Sequence, residues 1–107
     1  MKPFSEEPLK PEVIADWKDK HKNVFEITVG EGDEPKVTGY FRKPTLSELS
    51  VLLNGDKDKV FQQTLTMFNT CLLGGHPTFE SDDDVKLAAI QVFSEVIKAR
   101  QASIKKL

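Results

Sequence analysis

The sequence predicts a single small α+β domain, in which an N-terminal helix and one antiparallel β-hairpin pack on three C-terminal helices. Two observations carry this prediction. Apolar residues recur at helical spacing up to about residue 22 and again after residue 44, whereas between them they alternate with polar residues, as in a half-buried strand. The 107 residues fit one domain, which is expected to bury about two-thirds of its unfolded surface in one modest core.

The first ten residues are expected to form a flexible arm, so the folded domain is expected to span residues 11–107. The arm has prolines at positions 3 and 8 and several charges, which leaves it little apolar surface to bury. A short amphipathic helix is predicted from Pro11 to Lys22, because proline is tolerated in the first turn of a helix. The residues that recur there at helical spacing are Val13, Ile14, Trp17 and His21.

A β-hairpin is predicted next, formed by residues 24–29 and 36–42. The connecting residues 30–35 contain two glycines and a proline, which favour a turn. A lone hairpin is only marginally stable in water, so its apolar face is expected to pack on helices. That face consists of Phe25, Ile27, Val29, Val37 and Phe41.

Two further helices are predicted after the hairpin. The first is expected to begin with a capping box, in which the Thr45 hydroxyl accepts the Glu48 N–H and the Glu48 carboxylate accepts the Thr45 N–H. It is expected to end at Asn54-Gly55. The second is expected to be capped by Asp56 and to stop at Gly74-Gly75, because glycine adopts the left-handed conformation that ends many helices. Its predicted apolar stripe is Val60, Phe61, Thr64, Leu65, Phe68, Cys71 and Leu72.

The last helix is predicted to be capped by Ser81 and to run to about Ile104. The aspartates at positions 82–84 complement the positive end of its dipole. A second apolar stripe, at Ile90, Ile97 and Ile104, repeats every seven residues. This second stripe either has neighbours inside the domain or is presented to a partner protein. The main stripe, expected to face the hairpin and the preceding helix, is Val85, Ala88, Ala89, Val92, Phe93 and Val96.

Composition and charge exclude several classes of function. Charged residues make up 30% and hydrophobic residues 38% of the chain, as in folded domains rather than disordered segments. The net charge of -2 provides no surplus of Lys and Arg for binding nucleic acid. The N-terminus does not resemble a signal peptide, and no segment is long and apolar enough to span a bilayer. A cytoplasmic location without membrane association is therefore expected.

The spacing of chemically reactive residues predicts no catalytic, cofactor or metal site. His21 and His76 are far apart, and neither has the spacing of a metal-ligand motif. The single cysteine, Cys71, is expected to be buried on an apolar stripe and unreactive. We therefore predict a non-enzymatic protein that acts by binding another protein, with a small enzyme left as an open alternative.

Five residues are candidates for partner binding. Ile90, Ile97 and Ile104 are candidates because they form the second apolar stripe of the last helix. Trp17 and Tyr40 are candidates because they are the aromatic residues that the predicted core is least able to account for. Trp17 is also expected to pack the first helix on the domain, since so short a helix needs tertiary support.

Four short segments, in the order of the predicted elements, carry a family resemblance. They are FEITV at 25–29, YFRKPTLSE at 40–48, CLLGG at 71–75 and ARQASIKKL at 99–107. Together with an acidic cap before a long last helix, they resemble the tail assembly chaperones of long-tailed, siphophage-type bacteriophages and their prophage relatives. The resemblance covers most of the chain from about Val24.

The resemblance implies a protein that binds the long, helical tape measure protein in the infected bacterial cell, keeps it soluble and helps tail tube subunits assemble around it. A tape measure exposes apolar helical faces before the tube covers them, and a small domain with an apolar groove can shield such faces. Some relatives also have a longer form made by ribosomal frameshifting. A structural phage protein retained in the particle, such as a tail or head completion protein, is the alternative. The identity of the partner and the oligomeric state are left open.

Overall fold

The computed structural model describes residues 2–21, 23–55 and 57–98, without the side chains of residues 52–54, 57 and 96–98. In these ranges, helices surround a three-stranded antiparallel sheet of order β1-β2-β3, which confirms a small mixed α/β domain. A 3₁₀ turn, Lys57–Lys59, precedes α3. The elements are α1 (Pro11–Lys20), β1 (Val24–Val29), β2 (Val37–Arg42), α2 (Leu46–Asn54), α3 (Val60–Cys71), β3 (Leu72–Gly75), α4 (Thr78–Ser81) and α5 (Asp83–Lys98).

The hairpin forms as predicted, except that β2 begins one residue later, at Val37. Its register pairs Val24 with Arg42 and Val29 with Val37. Alternate residues of each strand point to opposite faces, so the predicted apolar face packs against the helices α3 and α5. We call this the inner face of the sheet.

The helix α1 covers the other, outer face of the sheet. It begins at Pro11 as predicted and ends at Lys20, where the His21 N–H donates to the Trp17 carbonyl oxygen at 2.8 Å. The Trp17 ring lies 5.6 Å from the ring of Tyr40, which points to the outer face because its neighbours in β2 point inward. The predicted packing role of Trp17 is therefore confirmed.

A third strand, β3, replaces the predicted helix stop at Gly74-Gly75. The helix α3 ends at Cys71, and Leu72 adopts an extended conformation. The strand then pairs antiparallel with β2, with Gly39 opposite Gly75 and Tyr40 opposite Gly74. The prediction of a hairpin alone was therefore wrong. The segment 72–75 is largely buried, and buried backbone N–H and C=O groups need hydrogen-bond partners. The free edge of β2 supplies these partners.

Part of the N-terminal arm is docked rather than free, which corrects the expectation of a flexible arm for residues 3–5. Phe4 forms a parallel bridge with Gly75 at the outer edge of β3. The Gly75 N–H donates to the Pro3 oxygen at 3.1 Å, and the Ser5 N–H donates to the Gly75 oxygen at 2.9 Å. The side chain of Phe4 also packs against the core.

Four fully buried phenylalanines form the centre of the core. The ring of Phe41 on β2 lies 4.9 Å from Phe68, 5.7 Å from Phe93 and 6.1 Å from Phe79, measured between centroids. Cys71 is buried beside them, as predicted. Phe41 therefore links the sheet to α3, α4 and α5.

The helix α5 is capped by Asp82 and not by the predicted Ser81. The Asp82 Oδ1 accepts the N–H groups of Asp84 at 2.9 Å and Val85 at 3.3 Å. Ser81 instead ends the short helix α4, where its hydroxyl donates to the Pro77 oxygen at 3.1 Å. Because the short helix α4 includes Ser81, the N-cap of α5 is Asp82, one residue later than predicted. The predicted end of the helix near Ile104, like the predicted Asp56 cap of α3, lies outside the described residues.

The core-facing side of α5 is rotated from the predicted main stripe. Ala89, Ile90 and Phe93 are buried, whereas Val92 is 48% exposed. Successive helical residues differ by about 100°, so a helix that buries positions 89, 90 and 93 turns position 92 toward solvent. Ile90, from the predicted second stripe, therefore belongs to the core.

Candidate functional site

The residues predicted to bind a partner do not come together in one site. Trp17 and Ile90 are only 8% and 5% exposed and lie in different layers, one on the outer face of the sheet and one in the inner core. Exposure of Ile90 to a partner is therefore ruled out, because its side chain is already covered by the domain. Tyr40 is half-buried beneath Trp17. The side chain of Ile97 and the whole of Ile104 lie outside the described residues.

Exposed apolar side chains indicate a different surface, formed by α2 and α3. Leu87 and Val92 on α5 are also exposed, but they are five positions apart and therefore point about 140° away from each other. They do not form one patch. The exposed apolar residues on α2 and at the start of α3 are Leu46, Val51, Val60 and Phe61.

The first turn of α3 extends its apolar stripe beyond the core. Val60 lies four residues before the buried Thr64, and Phe61 lies seven residues before the buried Phe68, so both occupy the core-facing side of the helix. Nevertheless Phe61 is 56% exposed. The sequence predicted the stripe, but it did not show that its first turn is left uncovered.

A groove lies between the two helices, on a different side of α3 from Phe61. We call it the α2–α3 groove; it has a volume of about 240 Å³ and combines two apolar side chains with a polar rim. Val51 is exposed in it, whereas Met67 is buried. The lining residues are Val51, Lys59, Gln62, Gln63, Thr66 and Met67.

Gln63 contributes an unused hydrogen-bond acceptor to the groove. Its Oε1 is buried and has no hydrogen-bond partner among the described residues. The amide lies over the backbone at Gly55, where a Cβ atom would come within 2.5 Å of the Gln63 Cδ.

The position of α2 is fixed by the end of β2. The predicted capping box is confirmed: Thr45 Oγ1 accepts the Glu48 N–H at 3.2 Å, and Glu48 Oε1 accepts the Thr45 N–H at 2.7 Å. Arg42, the last residue of β2, adds two hydrogen bonds to the same carboxylate, at 2.8 and 2.9 Å. These bonds from Arg42, followed by that from the Thr45 N–H, lower the pKa of Glu48 to about 2 despite partial burial. The link from Arg42 was not predicted, although Arg42 precedes the capping box closely in the sequence.

The reactive residues of the described part of the chain have structural roles. His76 Nδ1 lies 2.9 Å from Thr78 Oγ1 and accepts the Thr78 N–H, which supports the start of α4. Burial raises the pKa of the Cys71 thiol to about 11, so the nucleophilic thiolate is scarce at neutral pH. No three His, Cys, Asp or Glu side chains in the described ranges cluster as metal ligands would.

Comparison of the chain with protein-family models, with curated proteins and with solved structures gave no match. None of the helices in the described ranges is both long enough and apolar enough to cross a membrane. Inference about function therefore depends on the residues and contacts of this chain.

Proposed function

We propose that this chain is a phage or prophage tail assembly chaperone, which binds the helical tape measure protein in the bacterial cytoplasm and keeps it soluble until the tail tube assembles around it. The observation that carries the proposal is the α2–α3 groove, in which Val51 is exposed beside the buried Met67. An apolar helical face is what such a chaperone has to cover. The tape measure protein is proposed as the partner because of the sequence resemblance, which begins at about Val24.

The shape of this surface suits a helical partner. A groove between two helices accepts the apolar face of a third, whose anchors recur at intervals of three and four residues. Gln62, Gln63 and Thr66 place amide and hydroxyl groups along the groove, where they can bond to polar side chains flanking those anchors.

The amount of apolar surface favours reversible binding. Full burial of a valine side chain gains about 1.5–3 kcal/mol, so covering the exposed part of Val51 gains about 1–2 kcal/mol. A free energy of that size corresponds on its own to a dissociation constant of about 1 mM or weaker. Several copies acting along a long tape measure would therefore bind it and still release it when the tube subunits arrive.

The test is coexpression of this chain with amphipathic fragments of a siphophage tape measure protein. The wild-type chain is expected to keep such fragments soluble and to copurify with them. Val51→Gln is expected to reduce the copurified fragment at least several-fold, because it removes an exposed apolar side chain that lines the groove. Leu87→Gln is the matched control, since Leu87 is similarly exposed, at 50%, but lies on α5.

Three outcomes would count against the proposal. Tape measure fragments that stay insoluble with the wild-type chain would exclude the chaperone role. Stoichiometric amounts of this polypeptide in purified phage particles would favour a structural component retained in the virion. Equal loss of binding in the Val51 and Leu87 variants would mean that the α2–α3 groove is not the binding surface.

A further inference from the structure

The size of the α2–α3 groove suits a side chain of another polypeptide. Its volume of about 240 Å³ lies below the roughly 300–1,000 Å³ of sites that enclose small-molecule ligands. The buried Met67 and the exposed Val51 supply its apolar surface. Because an unbranched methionine adapts its shape to different apolar neighbours, the groove is expected to accept several kinds of apolar side chain.

The uncharged polar residues of the groove do not determine which charge a partner carries. The amides of Gln62 and Gln63 both donate and accept hydrogen bonds, so they suit acidic and basic side chains equally well. Thr66 Oγ1 donates its proton to the Gln62 carbonyl oxygen at 3.0 Å and can only accept from a partner. Selection by charge therefore depends on a charged residue.

Lys59 is the one charged residue among the described residues that line the groove. It is the N-cap residue of α3, and it is exposed. In the described part of the chain it has no ion-pair partner, and the neighbouring Asp58 does not line the groove. The Lys59 ammonium group is therefore available to a carboxylate of a partner.

Lys59 lies at one end of the groove. Lys59, Gln63 and Met67 follow one another at intervals of four, so they lie along one side of α3. The distance from Lys59 to Met67 is about 12 Å along the helix axis. In a partner helix that lies along α3, the residue opposite Lys59 is therefore about two turns from the side chain that covers Met67.

We propose that the α2–α3 groove selects partner helices that carry a carboxylate about two turns from an apolar anchor, and that Lys59 makes this selection. The inference rests on the proposed function, because it takes the groove as the binding site. Complementary charge at the edge of an interface acts mainly on the choice of partner. An exposed ion pair changes a dissociation constant by only about two- to fivefold, so Lys59 adds selectivity to binding that the apolar side chains provide.

Three synthetic amphipathic peptides and the full-length chain test the inference. The peptides share one leucine anchor and differ only about two turns to either side of it, where they carry Glu, Gln or Lys. Titrations followed by NMR chemical shifts should give wild-type dissociation constants that rise about two- to fivefold from the Glu to the Lys peptide. The order should reverse in Lys59→Glu, and the differences should shrink at about 1 M salt. Lys36→Glu is the matched control, since it makes the same charge change at an exposed lysine outside the groove.

Equal dissociation constants for the three peptides would overturn the inference, and so would a preference that Lys59→Glu leaves unchanged. If Val51→Gln still weakens binding of all three peptides in that case, the groove remains a binding surface and the proposed chaperone function is unaffected. Binding that does not depend on Val51 at all would instead count against the groove, and so against both proposals. Circular dichroism of Lys59→Glu should match that of the wild-type chain, because Lys59 is exposed.

Discussion

Arg42 and Glu48 form a bidentate ion pair that joins the last residue of β2 to the first turn of α2, with two N–O distances of 2.8 and 2.9 Å. The same Glu48 carboxylate accepts the Thr45 N–H. One side chain therefore both caps the helix and fixes its direction relative to the sheet. Because α2 forms one wall of the α2–α3 groove, this pair also sets the position of Val51.

We expect the Arg42–Glu48 pair to make stability depend on acid pH. The pKa of Glu48 is lowered from 4.5 to about 2, so its contribution to stability is complete above about pH 4.5 and is lost as the pH falls toward about 2. Urea denaturation at several pH values should show this loss in the wild-type chain. In Glu48→Gln the stability should be lower at neutral pH and should change less in this window. Parallel pH profiles for the two proteins would show that the ion pair contributes nothing.

The contact between Gly39 and Phe79 predicts a steric effect. A Cβ atom at Gly39 would come within 2.7 Å of the Phe79 ring, which is fully buried. Gly39→Ala should therefore destabilise the domain by about 1–3 kcal/mol, as overpacking of cores usually does. In the background of Phe79→Leu the same change should cost less, because the smaller side chain leaves room. Additive effects in this double-mutant cycle, measured by denaturation, would argue against direct contact.

The position of Ile90 in the core predicts a large difference between two neighbouring substitutions on α5. Ile90→Gln places an amide among buried apolar side chains and should cost about 2 kcal/mol or more. Leu87→Gln should stay within about 0.5 kcal/mol, because Leu87 is half exposed. Thermal unfolding of the two variants checks this. Equal melting temperatures would mean that the side chain of Ile90 is exposed and available to bind a partner.

Local interactions were predictable from the sequence where both partners lie within one turn of the chain. The capping box at Thr45 joins residues three positions apart, so spacing alone identifies it. The alternation in residues 24–29 and 36–42 predicted the hairpin for the same reason. The start of α1 at Pro11 follows from the backbone preference of one residue.

Interactions between distant segments were not predictable in this way. Gly74-Gly75 is a typical helix stop, and only the buried free edge of β2 turns it into a strand. Docking of residues 3–5 on that strand depends in turn on Gly74, where a Cβ atom would collide with the Pro3 oxygen. The α2–α3 groove was missed because it depends on how α2 packs against α3, which the sequence pattern of neither helix shows.

Because Cys71 is buried, its reaction with a thiol reagent can be used to measure opening of the core in the wild-type chain. Its thiol is fully buried at the last residue of α3, and its pKa is raised to about 11, so a thiol reagent can modify it efficiently only in molecules whose core has opened. The labelling rate at increasing reagent concentration then reports the free energy of that opening without any added reporter group. A fluorophore attached to a cysteine introduced on the surface, for example near Phe61, would label selectively while Cys71 stays in place.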